Sequence, residues 1–142
     1  MHTADIRRRV TRTIAEARVA AAARRRRAAS AEAAADAILS GVAAPLCKTI
    51  VAALKAEGLK FRLSTPPGAV RISSETSGDD YIELALDATR TPPALMGRVG
   101  RAWGRRVLAD EQVVAEDPAI GELDEETLLE FVLGALAPFV ER

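Results

Sequence analysis

The chain has 142 residues, of which 49% are hydrophobic, and its 20 basic side chains balance 20 acidic ones. This size predicts one globular domain, and the apolar fraction is ample for its core. The single cysteine, Cys47, excludes an internal disulfide, and no apolar run reaches about 18 residues, so we expect a cytoplasmic protein without a transmembrane helix.

The first predicted element is one long amphipathic helix, Ala4–Glu57. At about 100° per residue its apolar side chains share an arc about 80° wide, and this phase continues past Ser40–Gly41. We therefore favour one helix bent near Pro45 over a break at Ser40–Gly41 with a second helix from Ala44. Gly58 is expected to end the helix. The arc contains Ile6, Val10, Ile14, Ala17, Ala21, Ala28, Ala35, Leu39, Val42, Leu46, Ile50 and Ala53.

The functional hypothesis depends on the length of this helix. Residues 6 to 53 span about 70 Å, whereas a compact chain of this size has a radius of gyration of about 15 Å. The outer half, about Thr3 to Asp36, must therefore pack on another molecule or stand in solvent. From Ala15 to Ala37 there are 13 alanines, which favour a helix that forms with little packing.

Charge is distributed unevenly along the chain. Residues 1–30 carry nine arginines against Asp5 and Glu16, a balance of +7, and residues 110–142 carry ten acids against Arg142, a balance of −9. This pattern suits head-to-tail contacts between subunits, or an arm folded onto its own acidic end. The run Arg24–Arg27 points in four directions around the helix and has no acid three or four residues away.

After Gly58 the pattern alternates and predicts an antiparallel meander of four to five strands, because the connections are too short for parallel crossovers. A final helix from Glu125 to Phe139 follows, with Asp124 as its N-cap. The predicted class is α+β, with an arm at residues 1–40 and a domain at 41–142. The second face of the sheet is expected to be polar or covered by a partner. The strands are predicted at Lys60–Ser64, Ala69–Glu75, Tyr81–Asp87, Leu95–Trp103 and Arg105–Ala115, with a loop at Glu116–Glu122.

No catalytic, metal or cofactor site is predicted. One histidine and one cysteine cannot form a Cys/His metal cluster, and a Ser-His-Asp triad is not indicated. Carboxylates are the remaining resource, since Asp79, Glu83 and Asp87 could share a strand face and hold Mg²⁺. We favour a solvated strand face instead.

Arginines surround Trp103 in the last predicted hairpin, at positions 98, 101, 105 and 106. An exposed tryptophan among arginines would form a stacking platform for nucleic acid. We favour the alternative, a basic hairpin whose tryptophan packs on the core or under the long helix.

The leading hypothesis is a non-enzymatic assembly or adaptor protein that self-associates, or docks on a larger protein partner, through its long helix. The alternative is a nucleic-acid-binding protein, and a carboxylate–metal enzyme is third. The expected helix contacts are Ile6, Val10, Ile14, Ala17 and Ala21. The candidates for binding nucleic acid or an acidic partner are Arg8, Arg12, Arg24, Arg25, Arg26 and Arg27, with no membrane and no cofactor expected.

Overall fold

In the computed structural model, which describes residues 1–141, the chain folds as predicted into an α+β structure. A long helix comes first, a five-stranded antiparallel sheet follows, and a third helical segment packs on the sheet. The helical segments are α1 (Thr3–Ile38), α2 (Ala44–Ala56) and α3 (Glu125–Val140), and the strands are β1 (Phe61–Ser64), β2 (Ala69–Ser74), β3 (Tyr81–Asp87), β4 (Ala94–Trp103) and β5 (Arg106–Glu116).

The first two helical segments form one continuous helix, because a π-helical turn, Leu39–Ala43, joins them without a break. The backbone N–H of Ala44 donates to the carbonyl of Leu39, five residues back. A π turn is one way to accommodate Pro45, which lacks an N–H and crowds the preceding turn. The prediction of one helix is confirmed, and the irregularity lies just before Pro45.

Gly58 ends this helix in the predicted role. Its φ is +83°, the left-handed region that glycine adopts without strain. The N–H of Gly58 donates to the carbonyl of Lys55, and that of Leu59 donates to the carbonyl of Leu54 at 2.8 Å. These two bonds form a Schellman motif, which directs the chain into β1.

The strands follow the predicted meander, in the order β1-β2-β3-β4-β5. Their bounds agree with the prediction to within one residue. The β4–β5 hairpin turns through Gly104, whose φ is +63°, and Arg105, a two-residue connection with glycine at its first position. A register shift opposite Leu95 and Met96 marks a bulge in this ladder.

One face of the sheet is the core face, and α2 and α3 cover it. The rings of Phe61 on β1 and Phe139 on α3 meet edge to face at 5.9 Å between centroids. Asp124 caps α3 as predicted, by accepting a hydrogen bond from the N–H of Thr127 at 2.9 Å. The fully buried large side chains of this core are Ile72, Leu84, Leu95, Ile120, Leu128 and Val132.

A short 3₁₀ helix, Ala119–Glu122, lies where the sequence predicted only a loop. It contacts α1 and β5, and its Ile120 is fully buried. Ala31 and Ala35 of α1 are buried in the same core cluster. The long helix is therefore anchored to the body from Ala31 onward. The outer half was expected to extend to Asp36, so the anchored part begins six residues earlier than predicted.

The continuous helix Thr3–Ala56 contains an 18-residue window of mean hydropathy 1.8, which has the length and composition of a membrane span. Core helices of soluble proteins have the same properties, and 39% of this window is buried inside the chain. Leu46, Ile50 and Leu54 account for part of that burial, since they face the sheet. The absence of a transmembrane helix stays a prediction.

Candidate interaction surfaces

The N-terminal part of α1, Thr3–Ser30, is named the arm. It extends past the body, and nearly all of its first 18 residues are exposed. Ile6, Val10 and Ile14 are 48%, 51% and 45% exposed, so the described chain leaves about half of each side chain in water. These residues do not fold back on the strands of their own chain.

The five predicted contact residues of the arm, Ile6, Val10, Ile14, Ala17 and Ala21, are named the seam. All lie in the arc that also contains the buried Ala35 and Leu39 at the base of the helix. Of the seam, Ala21 alone is half-buried. One helix face is thus covered by the chain's own body at its base and continues outward uncovered.

The side chains of Arg24–Arg27 project from the arm in several directions, as predicted. Arg24 and Arg27 line a small cleft against the β3–β4 loop at residues 88–93. Arg8 pairs with Asp5 on the arm itself. Among the described residues, Arg12 and Arg24–Arg27 form no ion pair, so the arm is not folded onto the chain's own acids.

The tip of the β4–β5 hairpin corrects the interpretation of Trp103. Its side chain is 65% exposed and packs neither on the core nor under the long helix. Val107 and Leu108 beside it are also exposed, because β5 extends beyond the part of the sheet that the helices cover. The tip therefore presents an indole next to the exposed Arg105 and Arg106.

The second face of the sheet carries a ladder of four charged residues in directly paired positions, one on each of β2 to β5. Arg71 donates to Glu83 at 2.8 Å, Arg98 donates to Glu83 at 3.3 Å, and Arg98 donates to Glu111 at 2.7 Å. This cross-strand alternation of sign stabilises the sheet. The hydrogen bond from Arg98 to Glu111 raises the pKa of the Arg98 guanidinium, and the bond to Glu83 raises it further. Burial of Arg98 opposes this shift.

The ladder changes the interpretation of the strand carboxylates. Glu83 is buried and forms ion pairs with two guanidiniums, and is thus a poor ligand for Mg²⁺. Asp87 accepts hydrogen bonds from the hydroxyl and N–H of Thr89, which lower the pKa of that carboxyl. Within residues 1–141 no group of three or more acidic, histidine or cysteine side chains is placed to hold a metal ion.

Cys47 lies on the buried side of α2. Burial raises the pKa of its thiol to about 11, so the thiol stays protonated near neutral pH. The thiol is therefore part of the core packing.

The predicted site residues thus separate into two groups. The seam residues share one helix face, which is exposed except at the half-buried Ala21. The arginines of the arm and those of the hairpin tip lie on different elements. Sequence reasoning missed the ladder, whose signal is the shared strand parity of Arg71, Glu83, Arg98 and Glu111 once the register is known. Comparison of the chain with protein-family models, curated proteins and solved structures found no match.

Proposed function

We propose that this chain is a non-enzymatic assembly protein of the cytoplasm, and that its arm is the element that binds another protein subunit. The observation that carries the proposal is the unpaired seam. Three large apolar side chains recur at spacings of four residues on a helix that its own body does not cover. A soluble helix gains nothing from such a face unless a partner buries it.

The energetics indicate what kind of partner fits. Burying the exposed halves of Ile6, Val10 and Ile14 contributes about 3 kcal/mol in total, whereas a complex with a Kd of 1 µM needs about 8 kcal/mol. Ala17 and Ala21 add little area, although small residues let a partner approach closely. The remainder must come from the partner's contacts with the arginines, which favours a partner that carries acidic groups.

Binding of nucleic acid is the second candidate function. Its support is the set of exposed arginines without acidic partners at Arg24–Arg27, together with the exposed Trp103 at the hairpin tip. Such contacts would be largely independent of base sequence and would weaken steeply with salt. The apolar seam has no role in that function, which is why we place it second.

Replacing Ile14 by aspartate is expected to shift the protein towards monomer while the body stays folded. An unpaired carboxylate in the centre of the seam would have to lose its water on assembly, and we expect at least about a hundredfold weaker association. The measurement is light scattering after size-exclusion chromatography over a range of concentrations, with circular dichroism to show that the fold persists.

Val19 provides a matched control, since it is 69% exposed and lies about 180° around the helix from the centre of the seam. Val19→Asp should leave the assembly state unchanged. Equal loss from both substitutions would mean that a charge anywhere on the arm disrupts it. An unchanged mass for Ile14→Asp would exclude the seam. Retention on duplex DNA that Ile14→Asp leaves intact, with a monomeric wild type, would favour the second function.

A further inference from the structure

A groove runs between α3 and the distal half of the β4–β5 ribbon. It has a volume of about 370 Å³, and its walls are mostly apolar with three charged side chains. Val99 and Phe131 contribute apolar walls, Asp110 and Glu130 contribute carboxylates, and Arg101 contributes one guanidinium.

The groove exists because the layer of helices is narrower than the sheet. α2 contacts β1 and β2, and α3 contacts β3 and β4. Residues 106–113 of β5 remain exposed on both faces, including Leu108 on the face towards the groove. The position that a third helix would occupy on this sheet is unfilled by the described chain.

We infer that the groove receives the arm of a second copy of this chain, with the seam against Val99, Phe131 and Leu108. This inference rests on the proposed function and names its partner. The chain's own arm cannot fill the groove, since the arm is continuous with the helix that packs on the body and does not turn back.

Charge and length both fit this occupant. Asp110 and Glu130 of the groove face one arginine, Arg101, and they belong to segment 110–142, which supplies the end of β5 and all of α3 and carries ten acids against one arginine. The first 30 residues have a balance of +7. Ile6 to Ala21 span about 22 Å along a helix, and the exposed part of β5 spans about 24 Å. Arg7 and Arg18 flank one side of the seam, where they can reach Asp110 and Glu130.

Arm and groove are different surfaces, so the contact is heterologous. Copies joined in this way form a ring or an open chain, unless two copies exchange arms reciprocally. The seam, which is unpaired within one chain, is buried in any of these assemblies.

Charge reversal tests the inference. The groove variant carries Asp110→Arg and Glu130→Arg, and the arm variant carries Arg7→Glu and Arg18→Glu. Each variant alone juxtaposes like charges, so association should weaken at least about tenfold. An equimolar mixture should recover the wild-type mass, because each basic surface then finds an acidic one. A control with Glu57→Arg and Glu75→Arg, two exposed acids outside the groove, should assemble like wild type.

The outcomes separate the two levels of the proposal. If the groove variant assembles normally while Ile14→Asp is monomeric, the groove inference is wrong and the seam pairs elsewhere. A mixture that stays dissociated also contradicts the groove. If Ile14→Asp itself assembles normally, the proposed function fails together with the inference. Thermal unfolding of each variant tests whether the body remains folded.

Discussion

Replacing Glu83 by glutamine is expected to lower the free energy of unfolding by about 2–3 kcal/mol. The Glu83 side chain is only 8% exposed and is the shared anion of Arg71 and Arg98. Its neutralisation leaves two guanidiniums facing each other across β3. Breaking a fully buried ion pair costs about 3–5 kcal/mol of stability. The expected loss is smaller here because about a third of each arginine side chain is exposed to water.

The matched control is Glu111→Gln at the outer end of the same ladder. Glu111 is 47% exposed and bonds to one arginine, so its loss should cost less than about 1 kcal/mol. Urea unfolding followed by circular dichroism measures both variants. Equal losses of stability in the two variants would contradict the interpretation that the buried part of the ladder stabilises the sheet.

Replacing Gly97 by alanine is expected to destabilise the protein by about 2–3 kcal/mol through overpacking. A Cβ at Gly97 would lie 2.4 Å from two ring carbons of Phe131, so α3 or the ring must move. Thermal unfolding measures the loss. The double variant with Phe131→Leu should show coupling, because the smaller side chain relieves the clash while its own cavity costs less beside the added methyl.

Gly134 on α3 provides the control for this substitution. A Cβ there meets nothing within 4 Å, and alanine is the better helix former by about 1 kcal/mol, so Gly134→Ala should stabilise the protein. A Gly97→Ala variant as stable as wild type would show that α3 does not pack on β4 as described.

Most of the fold could be predicted because local patterns and global packing agree. Ile82, Leu84 and Leu86 alternate strictly on β3, and short turns on either side permit only an antiparallel meander. The phase of the apolar arc across Ser40–Gly41 was sufficient to predict one helix. The π turn itself was not predicted, since a proline in a helix produces a kink or a π turn with similar sequence signals.

The features that sequence reasoning missed depend on residues distant in the chain. Whether Trp103 is buried depends on how far β5 extends beyond α3, which no local pattern specifies. The long helix is anchored at Ala31 by contacts with the 3₁₀ helix, whose Ile120 belongs to the same core cluster and lies almost 90 residues later in the chain. The seam residues were chosen from helical phase alone. Four of the five are exposed and Ala21 is half-buried, and their role in binding stays a prediction.

Self-association of the wild-type protein is tested by its mass in solution, after nuclease treatment and removal of nucleic acid. Sedimentation equilibrium from about 1 µM to about 1 mM covers the affinities that arm contacts can supply. Self-association through the arm predicts a mass that rises with concentration to a multiple of 15.1 kDa, with a subunit interface that weakens as salt is added. A constant mass of 15.1 kDa over the whole range would contradict self-association through the arm.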